Sequence, residues 1–283
     1  MSEDHIEEFH LSLTDANAHF DAASLLAGNS GLSKSQIKTA MQKGAVWHTR
    51  GQKTQRLRRA KKSLKAGDEL HLYHNEKVLN QSPSPALLIA DEGAYSIWFK
   101  PYGMYSQGSK WGDHCTISRW VEMNLQPQRP AFVIHRLDRA ASGLIIIGHE
   151  RGTSAALGRL FEQRELSKIY RIIVEGEFPH YETALTIKHS VDGKTACSHA
   201  RALSFQTNVQ QTLVEVKIDS GRKHQIRCHM AEEGFPVVGD RLHGSGKTLN
   251  VNLQLCAYEL MFNCPVSGEA KHFRTPAELA PHF

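Results

Sequence analysis

After residue 86 the chain becomes a succession of short apolar runs, and this feature narrows the possible folds more than any other. Residues 87–89, 95–99, 132–134, 144–147, 169–174, 184–187, 200–205 and 213–218 each have the length and the β-branched or aromatic content of a strand. Only two strongly helix-periodic segments interrupt them. One lies near 153–163, with Ala156, Leu157, Leu160 and Phe161 apolar, and the other near 223–233. Parallel strands need a crossover, usually a helix, between each pair, so eight strands with so few helices predict an α+β domain whose mixed sheet is mainly antiparallel. The longest apolar run, 143–148, is one strand long, far short of the ~18 residues of a membrane helix. A membrane role is therefore not expected.

Ahead of this region the charge is segregated. Residues 1–32 hold six acids and no Lys or Arg, whereas 33–77 hold twelve Lys and Arg against three acids, a local excess of nine positive charges in a chain whose net charge is +5. Ser33-Lys34-Ser35-Gln36 has the spacing of a capping box, Ile37, Ala40 and Met41 follow on one helical face, and Gly44 stops the helix. Lys34 and Lys38 fall outside the apolar stripe. Val46 and His48 then alternate as a short strand, 50–52 reads as a turn, and 66–68 leads into a strand over 69–73 with Leu70 and Leu72 on one face. Residues 12–75 thus read as a helix-then-hairpin module, followed by an uncharged Pro/Ser linker at 80–85. The expected boundaries are 1–79 for the first domain, 80–86 for the linker and 87–283 for the second. No secretory leader is expected from the acidic first ten residues.

Five widely spaced cysteines without a C-x-x-C pair argue against a disulfide framework or zinc knuckle and for a reducing cytoplasm. The seventeen histidines include no H-x-x-x-H or H-E-x-x-H pattern, so His224 and His229 read as surface or satisfied core residues and no metal is expected. Gly244-Ser245-Gly246-Lys247-Thr248 imitates the end of a phosphate loop, but the first glycine of that pattern is replaced by Arg241, which leaves a solvated loop. Two polar clusters beside apolar strands remain. One is His135-Arg136-Leu137-Asp138 ahead of Ser142-Gly143-Leu144; the other is 220–229, which opens the second strong helix and puts His224, Arg227 and Ala231 on one face. A buried arginine requires a carboxylate partner, and Asp138 is the candidate.

These clusters, with Phe99-Lys100-Pro101-Tyr102-Gly103-Met104, Lys168-Ile169-Tyr170-Arg171 and Val238-Gly239-Asp240, resemble in order and spacing the motifs of RluA-type RNA pseudouridine synthases. The N-terminal module is similar to the S4 RNA-binding domain in its 33–36, 43–46 and 65–70 segments. The chain departs from the usual pattern at Ala141, Lys223 and Cys228, and at His19-Phe20-Asp21, where the S4 domain usually shows Arg-Leu-Asp.

The resemblance implies isomerisation of uridine to pseudouridine without a cofactor or metal. It casts Asp138 as the nucleophilic or charge-stabilising carboxylate, Arg227 as the cation that keeps it ionised, and Tyr170 as a ring stacked on the uracil whose phenol assists removal of the C5 proton. His135 and Arg136, with Lys100, Gln225 and Ile226 of the same motifs, are expected to hold the substrate. Lys34, Lys38 and Lys43 of the S4-like module are expected to contact phosphate. The expected partner is RNA, ribosomal by preference and transfer RNA as the alternative, with no obligatory protein partner. A non-catalytic RNA-binding protein of the same fold, acting in ribosome assembly, is the second reading. The complete set of Asp138, Tyr170 and Arg227 weighs against it.

Overall fold

A computed structural model describes residues 6–248 and 250–283; the first five residues of the acidic stretch lie outside them. The chain divides into two compact units. The first takes the residues up to Pro83 together with Gln107–Trp120, and the second takes Ser84–Ser106 and Val121–Phe283. The division after Pro83 falls within the expected linker, but residues 107–120, assigned from the sequence to the second domain, cluster with the first unit.

The first unit runs β1 (Ile6–Ser12), α1 (Ala22–Asn29), α2 (Lys34–Gln42), β2 (Val46–Arg50), β3 (Lys53–Arg56), β4 (Glu69–Asn75) and the single turn α3 (Glu76–Leu79). Its four strands pair antiparallel in the order β1-β4-β2-β3. The capping box is present: Gln36 N donates to Ser33 Oγ at 3.3 Å while Gln36 Oε1 accepts from Ser33 N at 2.9 Å. Ile37, Ala40 and Met41 are buried, and Gly44 ends the helix in the left-handed region (φ +80°). β1 was not anticipated. Its alternating pattern is masked by glutamates and a histidine, which make it read as an acidic tail.

The second unit runs β5 (Leu87–Asp91), β6 (Tyr95–Lys100), α4 (Ile117–Asn124, which crosses the boundary between units), β7 (Phe132–Val133), β8 (Ser142–Gly148), α5 (Arg151–Gln163), β9 (Ser167–Glu175), β10 (Leu185–Ile187), β11 (Ser198–Gln206), β12 (Gln211–Ile218), α6 (Gln225–Glu232), β13 (Leu255–Asn263) and β14 (Ala270–Arg274). Eight of these strands form one path, β10-β11-β12-β9-β13-β8-β6-β5, with β14 added to β13 and β7 to β8. Every pairing is antiparallel except β8 with β13. The α+β, mainly antiparallel expectation therefore holds. All eight anticipated strands are present, and two were missed, β13 and β14. Nearly every residue of β13 is buried, so its sequence lacks the period-2 alternation that marks a half-exposed strand. Among the described residues no helix is long and apolar enough to cross a membrane.

Candidate active site

The turn ahead of β8 carries Asp138, and it is held from several sides. Ala141 N donates to Asp138 O at 3.1 Å, closing the turn, and Gly103 N donates to Arg139 O at 2.8 Å. The buried Ser106 hydroxyl donates to Leu137 O at 2.7 Å and accepts from Leu137 N at 3.0 Å, clamping the residue before Asp138. Lys100 is fully buried beneath, its amine donating to the carbonyls of Pro101 (3.1 Å), Met104 (2.9 Å) and Ala141 (2.6 Å). Burial brings its pKa down to about 7, against the pull of Asp138. Gly143 sits at φ +112°, where a Cβ would collide with the backbone of Ala257; only glycine permits the close β8–β13 pairing that follows the turn.

Arg227 approaches from α6, and its main partner is not the one expected. Nε donates to Asp240 Oδ2 at 2.7 Å and Nη2 to Asp240 Oδ1 at 2.6 Å, a bidentate pair with both side chains almost wholly buried. Asp138 comes second, with Oδ2 at 3.5 Å from Nη1. The assumption that one acid sufficed for this arginine is corrected. A guanidinium has five N–H donors, and burying it takes more than one partly exposed carboxylate at the pocket wall. Burial opposes the charge on Arg227, but Asp240 and then Asp138 more than offset it and raise its pKa. Burial likewise opposes ionisation of Asp240, yet Arg227 and the amides of Leu242 and His243 bring its carboxyl down to about 2. Gly239 makes that position possible: at φ +79°, a Cβ there would strike the backbone of Asn252 and Leu253.

Arg136, Asp138, Tyr170, His224, Ile226 and Arg227 are among the residues that line one pocket of about 90 Å³. The three expected catalytic residues thus come together, although they lie on a turn, on β9 and on α6. Burial, with Asp138 beside it, pushes the Tyr170 phenol above its usual pKa, so it stays protonated at neutral pH. His224, read from the sequence as a surface or core residue, is at this pocket, with Nε2 3.8 Å from Asp138 Oδ2 and Nδ1 3.0 Å from His243 Nε2. His229 is a satisfied core histidine, bonded to Ser198 Oγ and His189 O, both at 2.9 Å.

The expected substrate-binding residues divide. Arg136 is exposed at the pocket, and Ile226 and Gln225 are on its wall. The Gln225 amide is spent internally, on Ser220 Oγ, Arg222 N, Cys197 O and Ser198 Oγ. His135 and Lys100 do not line the pocket. His135 Nε2 accepts from Ile146 N at 3.0 Å, its ring stacks on Phe161 at 4.3 Å, and burial lowers its pKa to about 3. A neutral, enclosed imidazole supports β8; it is no clamp for phosphate. In the first unit Lys34 and Lys38 are exposed on α2, whereas Lys43 is half-buried and donates to Leu79 O.

A buried arginine locked by one carboxylate and offered to a second at a pocket wall is a site for chemistry that develops charge on a substrate. Comparison with known proteins gives the class. Residues 94–232 match the family model described as RNA pseudouridylate synthase, a span that holds Asp138, Tyr170 and Arg227. An RNA pseudouridine synthase of Synechocystis sp., itself uncharacterised, is 31% identical over 200 residues, covering 65% of this chain and 67% of the relative. The chain belongs to the RNA pseudouridylate synthase family, isomerases that convert uridine in RNA to pseudouridine. The dual-specificity RNA pseudouridine synthase RluA of Vibrio vulnificus is 29% identical over 201 residues, 64% of this chain and 79% of the relative. The ribosomal large subunit pseudouridine synthase D of Neisseria meningitidis serogroup B is 30% identical over 170 residues, 52% of this chain and 45% of the relative.

Proposed function

We propose that this protein isomerises uridine in ribosomal RNA, with Asp138 as the reacting carboxylate, Arg227 as its cationic partner and Tyr170 as the ring beneath the base. The observation that carries the assignment of roles is the divided arginine. Asp240 neutralises the buried charge and fixes its direction, which leaves Nη1 aimed at Asp138 from 3.5 Å. A uridine in a stem is out of reach of such a pocket, so the target is flipped out, at a cost of a few kcal/mol that is least in loops. Asp138 then attacks C1′, or stabilises positive charge there, as the N1–C1′ bond breaks and its electron pair passes to the uracil. The freed uracil turns on Tyr170, whose phenol is a hydrogen-bond donor and no base. C5 forms the new bond to C1′ as the carboxylate is released, the C5 proton passes to solvent, and N1 takes up a proton from solvent, so the product is an isomer of the substrate. Atoms balance without oxidant, reductant or water consumed.

The first unit supplies phosphate contacts through the exposed Lys34 and Lys38, in the manner its likeness to the S4 domain implies. Ribosomal RNA is favoured by that likeness and by the Neisseria relative. The work is done in the cytoplasm, in keeping with five free cysteines. Tritium release from RNA carrying 5-tritiated uridine tests the substrate assignment, with bulk ribosomal and transfer RNA presented separately. Release from ribosomal RNA is expected; release from transfer RNA alone overturns the choice of substrate.

A further inference from the structure

Outside the pocket, three side chains with metal-binding atoms converge on one point. Cys197 immediately precedes β11, His199 lies on it, and Asp219 follows β12. His199 Nε2 is 2.8 Å from Asp219 Oδ2 and 3.6 Å from Cys197 Sγ, and the three ligand atoms all lie within 4.8 Å of one another. Such a trio could be a nucleophile–base–acid relay, but a relay uses opposite ring nitrogens. Here sulfur and carboxylate both approach Nε2, and Nδ1 meets the Thr186 hydroxyl at 3.1 Å. A partner on the other nitrogen is what orients a metal-bound imidazole. The 3.6 Å sulfur–nitrogen separation is close to the edge of a tetrahedron with metal–ligand distances of about 2.3 and 2.0 Å.

We propose that Cys197, His199 and Asp219 form a three-ligand site for a borderline-soft divalent cation of the zinc type, with a fourth position open to solvent. The donor set selects the cation: thiolate and imidazole disfavour magnesium and calcium, and two anionic ligands balance the double charge. The half-exposed His199 and Asp219 side chains leave the fourth position accessible. The ligand backbone is already fixed. Cys197 N donates to Ser220 Oγ at 3.1 Å, and Cys197 O accepts from Asp219 N at 3.1 Å and from Gln225 Nε2 at 2.9 Å. A bound cation therefore ties β11 to the 219–225 segment from which α6, with Arg227, begins. A thiol ligates as the thiolate. Binding releases the thiol proton to solvent, so affinity rises with pH.

Cobalt is the probe, because a cobalt–thiolate bond absorbs in the near ultraviolet and a cobalt–imidazole bond does not. Titrating the full chain with Co²⁺ is expected to give that band, saturating at one equivalent and abolished by Zn²⁺. Cys197→Ser removes it, Asp219→Asn weakens binding about tenfold or more, and Cys228→Ser leaves it intact. The last control matters because Cys228 Sγ lies 3.8 Å from His243 Nδ1, the other cysteine–histidine pair described outside this cluster. Absence of a thiolate band, or a band that survives Cys197→Ser and vanishes in Cys228→Ser, overturns the proposal. Circular dichroism of each variant separates loss of a ligand from loss of fold.

Discussion

Replacing Asp240 by asparagine removes one charge and little volume from the support of Arg227, and its cost can be worked out from the structure. The Asp240 carboxyl falls from an ordinary 3.8 to about 2. Each unit corresponds to about 1.4 kcal/mol, so ionisation of this group contributes about 2 kcal/mol of stability. The folded pKa lies below the unfolded one, so the contribution is complete above about pH 5 and disappears as pH falls toward 2. Stranding a buried charge costs about 3–5 kcal/mol when no partner remains. In Asp240→Asn one acceptor oxygen and the Asp138 carboxylate at 3.5 Å persist, which puts the penalty at pH 7 at about 2–4 kcal/mol. Urea unfolding followed by tryptophan fluorescence, repeated from pH 7 to pH 2, measures the gap between wild type and variant. The gap should narrow by about 2 kcal/mol across that range. A gap that is pH-independent, or smaller than about 0.5 kcal/mol at pH 7, refutes the view that Asp240 carries the arginine's charge.

The remaining expectations concern the pocket, its floor and the first unit. Arg227→Met should lose more than 90% of turnover, and because it leaves the buried Asp240 carboxylate with only its two backbone amides it should also melt several degrees or more below wild type; a melt run beside the tritium assay, at a temperature where the variant is folded, separates the two losses. Lys100 has a folded pKa near 7 against about 10.4 unfolded, so the unfolded chain binds more protons between these values and stability should rise with pH there. Lys100→Met removes that rise, and a variant whose pH profile parallels wild type from 7 to 10 contradicts the buried, carbonyl-bound amine. Lys34→Ala with Lys38→Ala should flatten the dependence of log binding constant on log salt by about 0.7 per lost contact, read by filter binding at several salt concentrations.

Legibility followed exposure and sequence distance. Where a segment is half-buried, its pattern reports its structure: Ser33 to Met41 announces a capped amphipathic helix, and 213–218 an alternating strand. β13 is buried on both faces at the middle of the sheet and carries no such signal, although it is the strand against which Gly143 must pack. The proposed catalytic set was legible only as motifs, since Asp138 and Arg227 are 89 residues apart and nothing local links them. The same motifs misled about Lys100 and His135. A motif marks a residue the site requires, but the requirement can be architectural, and only the carbonyls around the Lys100 amine and the backbone donor on His135 reveal it. Asp240 was in view within Val238-Gly239-Asp240 and went unassigned, because pairing one arginine with two acids follows from burial, which sequence spacing does not convey.

The most direct test of the account is tritium release from 5-tritiated ribosomal RNA by wild type and by Asp138→Asn, with RNA binding and melting temperature measured on the same preparations. The side chain is a quarter exposed and meets Arg227 at 3.5 Å and His224 at 3.8 Å, both long contacts, so the fold and the RNA affinity should survive the change. Release by wild type, none by the variant and unchanged binding are expected. Release by Asp138→Asn at a rate comparable to wild type would remove Asp138 from the chemistry and contradict the site described here.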